Sequence, residues 1–230
     1  MNMKNLEKII PEVKMSKTIL VFAPHPDDEV LGVGGTILRK KAKGDNVVVC
    51  VATKNEKYDI RKKESDVAHK LMGIDSSEFL EFPDLGLDKV PHDDFTDAIR
   101  LVLSKYEPDE VYMPYIGDIH TDHKALASAI LVAIRPKYKF SPTVAYMYET
   151  MSETGLDFQQ PNAHFNPNVY IDISDFLSKK LVALSAYSSQ IGEEPCSRSI
   201  MAIDALAKYR GAQAEMIAAE AFSLVREYIR

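Results

Sequence analysis

Apolar runs of two kinds alternate along the chain. Thr18 to Ala23 (TILVFA) is short and rich in β-branched and aromatic residues, as a strand buried on both faces would be. Gly35 to Lys43 has a helical period and stops at Gly44, a residue suited to a helix end. Asn46 to Ala52 (NVVVCVA) reads as a second buried strand, Asp59 to Met72 as an amphipathic helix ending at Gly73, and Glu78 to Phe82 as a third strand closed by Pro83 and Asp84. A helix over Asp93 to Tyr106 and a strand over Glu110 to Pro114 follow. Further on, the pattern predicts a helix over Lys124 to Ile134 and strands at Val144 to Tyr148 and Asn168 to Ile173. Ser174 is expected to cap a helix reaching about Tyr187. Ala202 to Tyr228 reads as the most helical stretch of all, with Gly211 as its one interruption. Glu149 to Pro167 is loop-rich and the best candidate for a mobile lid.

Strand and helix repeating with short connections predict an α/β fold: a single Rossmann-like domain with a mostly parallel sheet and helices on both faces. The expected domain spans 18–230. Residues 1–17 form an N-terminal extension carrying a short helix near Asn5 to Ile10, broken by Pro11. At 230 residues the chain has room for one domain with a substantial core.

Composition narrows the function. A net charge of −6 gives no basic face for nucleic acid or an anionic membrane. No apolar run is long enough for a transmembrane helix, and the first residues lack the features of a signal peptide. Cys50 and Cys196 form no C-x-x-C pair, so reduced thiols and a cytoplasmic location are expected, with Cys50 in the core.

The chemistry-bearing segments stand where the strands end. Pro24-His25-Pro26-Asp27-Asp28-Glu29 directly follows the first strand, and ligands of open α/β sheets bind beyond the carboxyl ends of strands. One imidazole and two adjacent carboxylates fixed by prolines suit a metal that takes nitrogen and oxygen ligands. The plainer reading is an acidic turn. His120-Thr121-Asp122-His123 follows the fourth strand, and its plainer reading is a helix cap with two surface histidines. Together the segments offer His, Asp and His from different strand ends. Three protein ligands with an open position define a catalytic rather than a structural zinc site.

PHPDDE resembles the A-H-P-D-D-E signature of the PIG-L (LmbE-like) de-N-acetylases, with Pro24 where Ala is usual, and HTDH resembles its H-x-D-H signature, with Thr121 where Pro is commoner. Leu31 to Thr36, the Arg61-Lys62-Lys63-Glu64 helix with Ala68 and Gly73, Asp172 to Ser174, Ser189-Gln190 and Ala219 to Phe222 resemble weaker segments of the same family. The resemblance runs from about Thr18 to the end. It implies His25, Asp28 and His123 as zinc ligands, Asp27 as general base, and His120 as a second catalytic group with Asp122 behind it. Such a site would remove acetyl from an N-acetylglucosamine-type small molecule. An acidified water, a non-ligand carboxylate to take its proton, and a cationic imidazole facing the developing oxyanion make that chemistry coherent. The same ligands accept ferrous iron.

Arg61 and Asp84 match substrate-contacting positions of the family, and Asp118 lies near enough to His120 to face the site; each also has a plain reading, as a solvated helix charge or a turn residue. Gly32, Gly34 and Gly35 are spaced G-x-G-G, with Ile37 in the place of a third glycine. They read as a tight turn and close packing at a helix start rather than a dinucleotide loop. His69, His92 and His164 have no partner spacing and read as structural or surface. Two rivals stay open: a metal-dependent hydrolase of another amide or of an ester, and a non-catalytic metal- or sugar-binding protein. The family resemblance leaves room for a homo-oligomer.

Overall fold

The apolar runs become β1 (Thr18–Ala23), β2 (Asn46–Lys54), β3 (Ser76–Pro83), β4 (Glu110–Pro114), β5 (Val144–Tyr148), β6 (Val169–Asp172) and β7 (Ala219–Glu227) in a computed structural model that describes residues 16–156 and 164–229. The helices are α1 (Asp28–Ala42), α2 (Tyr58–Met72), α3 (His92–Tyr106), α4 (Thr121–Ala133), α5 (Leu177–Leu184) and α6 (Ile200–Ala212). The short helix expected near Asn5 to Ile10 lies outside the described residues, as does part of the candidate lid.

One sheet runs β3-β2-β1-β4-β5-β7-β6. Its first five strands pair in parallel, and β7 enters antiparallel between β5 and β6. In β1 the side chains alternate between two cores. Ile19, Val21 and Ala23 pack with α1, α2 and α5, whereas Leu20 and Phe22 pack with α3 and α4. Burial on both faces is what a continuous apolar strand requires. Cys50 lies in the second core, as expected. Strand order reverses between β1 and β4, so their following loops open a crevice at the topological switch point.

Three expectations need correction. Ala202 to Tyr228 is not one helix: α6 ends at Ala212, the chain reverses, and Ala219–Glu227 is a strand. Its composition favours helix, but pairing on both edges and burial decide the outcome. Gly211 sits at the reversal, where a Cβ would come 2.6 Å from the Met216 carbonyl oxygen. Ser174 does not cap α5; its N–H and hydroxyl both donate to Asp172 Oδ1, and Phe176 stands at the helix start.

Helix α1 starts at Asp28, a full seven residues before the expected Gly35. An ion pair explains the discrepancy. Lys180 Nζ donates to the Leu31 carbonyl at 2.8 Å and to Glu220 Oε1 at 2.6 Å, while Glu220 accepts the N–H groups of Gly35 and Thr36 at 2.8 and 2.7 Å. In a regular helix Gly35 N–H would point at the Leu31 carbonyl. The buried pair adds a partner to both groups, and Glu220 acts on Gly35 and Thr36 as a cap does on a helix start. The glycines therefore lie inside a helix rather than in a turn. The close packing expected of them is real, since a Cβ on Gly32 would stand 2.2 Å from the Tyr148 ring.

Candidate metal centre and active site

The loop after β1 turns sharply into α1. Asp27 takes φ 122°, a conformation costly for a non-glycine residue, and its carbonyl accepts the N–H groups of Val30 and Leu31. Thr53, at the end of β2, pins the loop by donating both its N–H and hydroxyl to the Pro24 carbonyl. Three consecutive acids, Asp27, Asp28 and Glu29, are thereby buried together. Buried charges need partners, and each has its own set. Asp28 Oδ2 faces His25 Nδ1 at 3.1 Å and His123 Nε2 at 3.4 Å. Glu29 accepts from the Tyr187 hydroxyl, lies 3.2 Å from His69 Nε2, and takes the Asp27 N–H. Asp27 Oδ2 accepts from Arg198.

His25, Asp28 and His123 place ligand atoms within 4.8 Å of one another, all buried. Asp28 Oδ1 and His123 Nε2 have no hydrogen-bond partner among the described residues. Burial disfavours a charged His123, but Asp28 and Asp118 outweigh it and raise the imidazole to about 9. The pocket thus calls for positive charge beside orphaned nitrogen and oxygen donors, and the three residues fit a metal cation that takes such ligands. His25, His120 and Asp122 are equally close together. There, however, Asp122 accepts the N–H groups of Leu85 and Leu87, and His120 Nδ1 accepts that of Asp122, so those donors are already occupied.

The residues behind the ligands are set as metal sites require, with the far nitrogen of each imidazole held by a carboxylate. Asp118 Oδ2 lies 2.8 Å from His123 Nδ1, and its Oδ1 accepts from Thr154 at 2.6 Å. Asp118, expected to face substrate or shape the turn, orients His123. Asp84 Oδ1 and Asp122 Oδ2 both stand 3.3 Å from His25 Nε2. The hydrogen bond to His25 is the main reason the Asp84 carboxyl is lowered to about 2. Asp84, expected among the substrate contacts, also binds Asn55 and Arg61.

His120 differs from expectation. Asp122 does not stand behind its ring: the carboxylate turns to the 85–87 backbone and His25. Burial first, then the neighbouring His25 and His123, pushes His120 below its usual value. With Nδ1 accepting a backbone N–H, the neutral ring carries its proton on Nε2. His120 also caps α4, its side chain accepting the Asp122 N–H. Arg61 is mostly buried, 3.4 Å from Asp84, with its Nε unpartnered.

One residue read as structural or surface proves structural, and sequence reasoning passed over two further contributors. His69 is buried and holds Glu29 on one side and Ser77 on the other, a structural role. Tyr187 closes the same network. Arg198 reaches Asp27 Oδ2 at 3.1 Å from a loop 171 positions away, and nothing in the sequence around it signals that contact.

Fold and site define an α/β protein with a His-Asp-His cluster suited to a cation at the switch point of its sheet. The chain belongs to the PIG-L family, whose model, described as GlcNAc-PI de-N-acetylase, matches residues 20–134, half of the chain. It is 28% identical over 194 residues to a probable N-acetyl-alpha-D-glucosaminyl L-malate deacetylase 2 of Bacillus cereus, covering 76% of this chain and 84% of the relative. It is 27% identical over 203 residues to the diacetylchitobiose deacetylase of Thermococcus kodakarensis, covering 77% and 72%. The fold also matches GalB, the 4-carboxy-2-hydroxymuconate hydratase of Pseudomonas putida, with TM-score 0.74 at 20% identity over 93% of this chain and 98% of that one.

Proposed function

We propose that this protein is a zinc-dependent deacetylase that hydrolyses the N-acetyl group of an N-acetylglucosamine-type small molecule, releasing acetate and a free amine. The observation that carries the reading is a buried carboxylate, Asp27, beside the three-ligand centre, with one oxygen unpartnered. A binding module has no use for such a base.

A divalent cation held by His25, Asp28 and His123 would supply Lewis acidity, acidifying a water and polarising the acetyl carbonyl. Asp27 takes the attacking water's proton at Oδ1 and returns it to the leaving nitrogen, and the second water proton follows to the amine, so that amide and water become acetate and a protonated amine. Neutral His120 offers Nε2–H to the oxygen that becomes negative. Arg61, held beside Asp84, offers its unpartnered Nε–H to a sugar hydroxyl or an anionic substituent. Free Cys50 and Cys196 fit a reducing cytoplasm, and no helix among the described residues is long and apolar enough to cross a membrane.

The test is a screen of amine release over N-acetylated glucosamine derivatives and N-acetyl amino acids, with chelated protein reloaded with zinc or ferrous iron. Release from the amino sugars, lost on chelation and restored by metal, is the expected result. Preference for simple amides would sink the substrate assignment. The matching hydratase supports a second reading, tested by water addition to unsaturated carboxylates; hydration without deacetylation would replace the first reading.

A further inference from the structure

Arg198 lies in the loop between α5 and α6, yet it does not hold that loop together. Ser199 caps α6 by accepting the Ala202 N–H, and Ser199 N–H and Cys196 N–H bond within the loop. The Arg198 side chain instead crosses to the metal centre. Its NH1 donates to Asp27 Oδ2 at 3.1 Å, its Nε donates to Ser152 Oγ at 3.1 Å, and its NH2 stands 3.6 Å from Glu153 Oε1. The guanidinium is thus fixed by two residues of the turn after β5. That turn is itself tied to the centre, because Thr154 donates to Asp118 and the Glu153 carbonyl accepts the Ile119 N–H.

The two oxygens of Asp27 are treated differently. Oδ2 is engaged by Arg198, and Oδ1 is buried with no partner. A carboxylate on a strained backbone, beside two others, has reason to swing away from Asp28 and Glu29. We propose that Arg198 is a positioning residue for hydrolysis: it pins Asp27 through Oδ2, so that Oδ1 alone is presented to the reacting water. The proposal rests on the deacetylase reading for its assay, but the pinning itself is a property of the protein. A planar fork suits the task because it holds Asp27, Ser152 and Glu153 in fixed relative directions, which an ammonium cannot do.

The experiment is a double-mutant cycle of Arg198→Gln, Asp27→Asn and the pair, on the best substrate of the wild type, with metal content measured for each. Arg198→Gln should lower kcat about 10²-fold, the typical effect of a small misplacement at a reacting centre, with KM and bound metal unchanged. The pair should be no slower than Asp27→Asn alone, because Arg198 acts only through Asp27. Arg198→Lys should recover part of the loss. Additive losses, a raised KM at unchanged kcat, or loss of metal would each overturn the proposal. Should Arg198→Gln fail to fold, Arg198→Lys carries the same cycle. A crystal structure of the metal-loaded variant needs no turnover: Asp27 should leave its rotamer while His25, Asp28 and His123 stay. An unmoved Asp27 refutes the pinning even if the substrate class proves wrong, whereas a wild type without deacetylation refutes only the substrate reading.

Discussion

Neighbouring Asp27 and Asp28 look alike in the sequence and live in different surroundings. Asp28 sits between two imidazoles, whose charges outweigh burial and hold its carboxyl well below the usual range. Burial first, then the Asp28 charge, pushes Asp27 up, against the pull of Arg198. Replacing each by its amide separates their roles. Asp28→Asn is expected to lose metal, because it removes one of three ligands. Asp27→Asn keeps shape and metal and loses about 10²- to 10⁴-fold in rate, the usual worth of a general base. Elemental analysis and single-turnover rates at equal metal saturation check both; metal loss in Asp27→Asn with retention in Asp28→Asn would invert the assignment. The clustering of His25, Asp28 and His123 was legible because two short motifs concentrate His and Asp at strand ends. The partners of those residues were less so. Asp84, Asp118 and Asp122 were picked out as near the site, but the family resemblance suggested a substrate contact for Asp84 and a His120 partner in Asp122, whereas geometry turns all three toward His25 and His123. Arg198 left no trace, since a lone arginine in a loop has no period or spacing to betray it.

Among the elements, the five parallel strands were legible to within about two residues, because parallel strands buried in a sheet need continuous apolar runs. The misreadings cluster around one construction. Lys180 from α5 and Glu220 from β7 enter the middle of α1, where glycines leave room, so the cap-like partners of Gly35 and Thr36 lie inside a continuous helix. The same Glu220 lies in the segment whose alanines suggested helix. A buried ion pair is a weak source of stability when intact and a large liability when halved. Lys180→Met should therefore destabilise the protein by about 3–5 kcal/mol, leaving the Glu220 charge buried without its cation. Urea denaturation measures this, and a loss within about 0.5 kcal/mol, typical of surface changes, would show that the pair is not integral to the helix.

At the scale of the molecule, the site is stitched from both ends of the chain. The family model stops at residue 134, and the candidate ligands His25, Asp28 and His123 all lie before it. Yet Tyr187, Arg198, Lys180 and Glu220, which settle Glu29, Asp27 and the helix that begins at Asp28, all come from the last third. The ribosome makes these parts in the opposite order to their dependence. A nascent chain stopped at residue 156 already contains His25, Asp28 and His123, but it lacks the strand that contacts the middle of α1 and the cation for Asp27. Metal capture is therefore expected to be a late event. A fragment of residues 1–156 should bind zinc far more weakly than the whole chain in a competition titration with a chromogenic chelator. Equal affinity would mean that the N-terminal half assembles the centre unaided, and that the long reach of β7 serves stability alone.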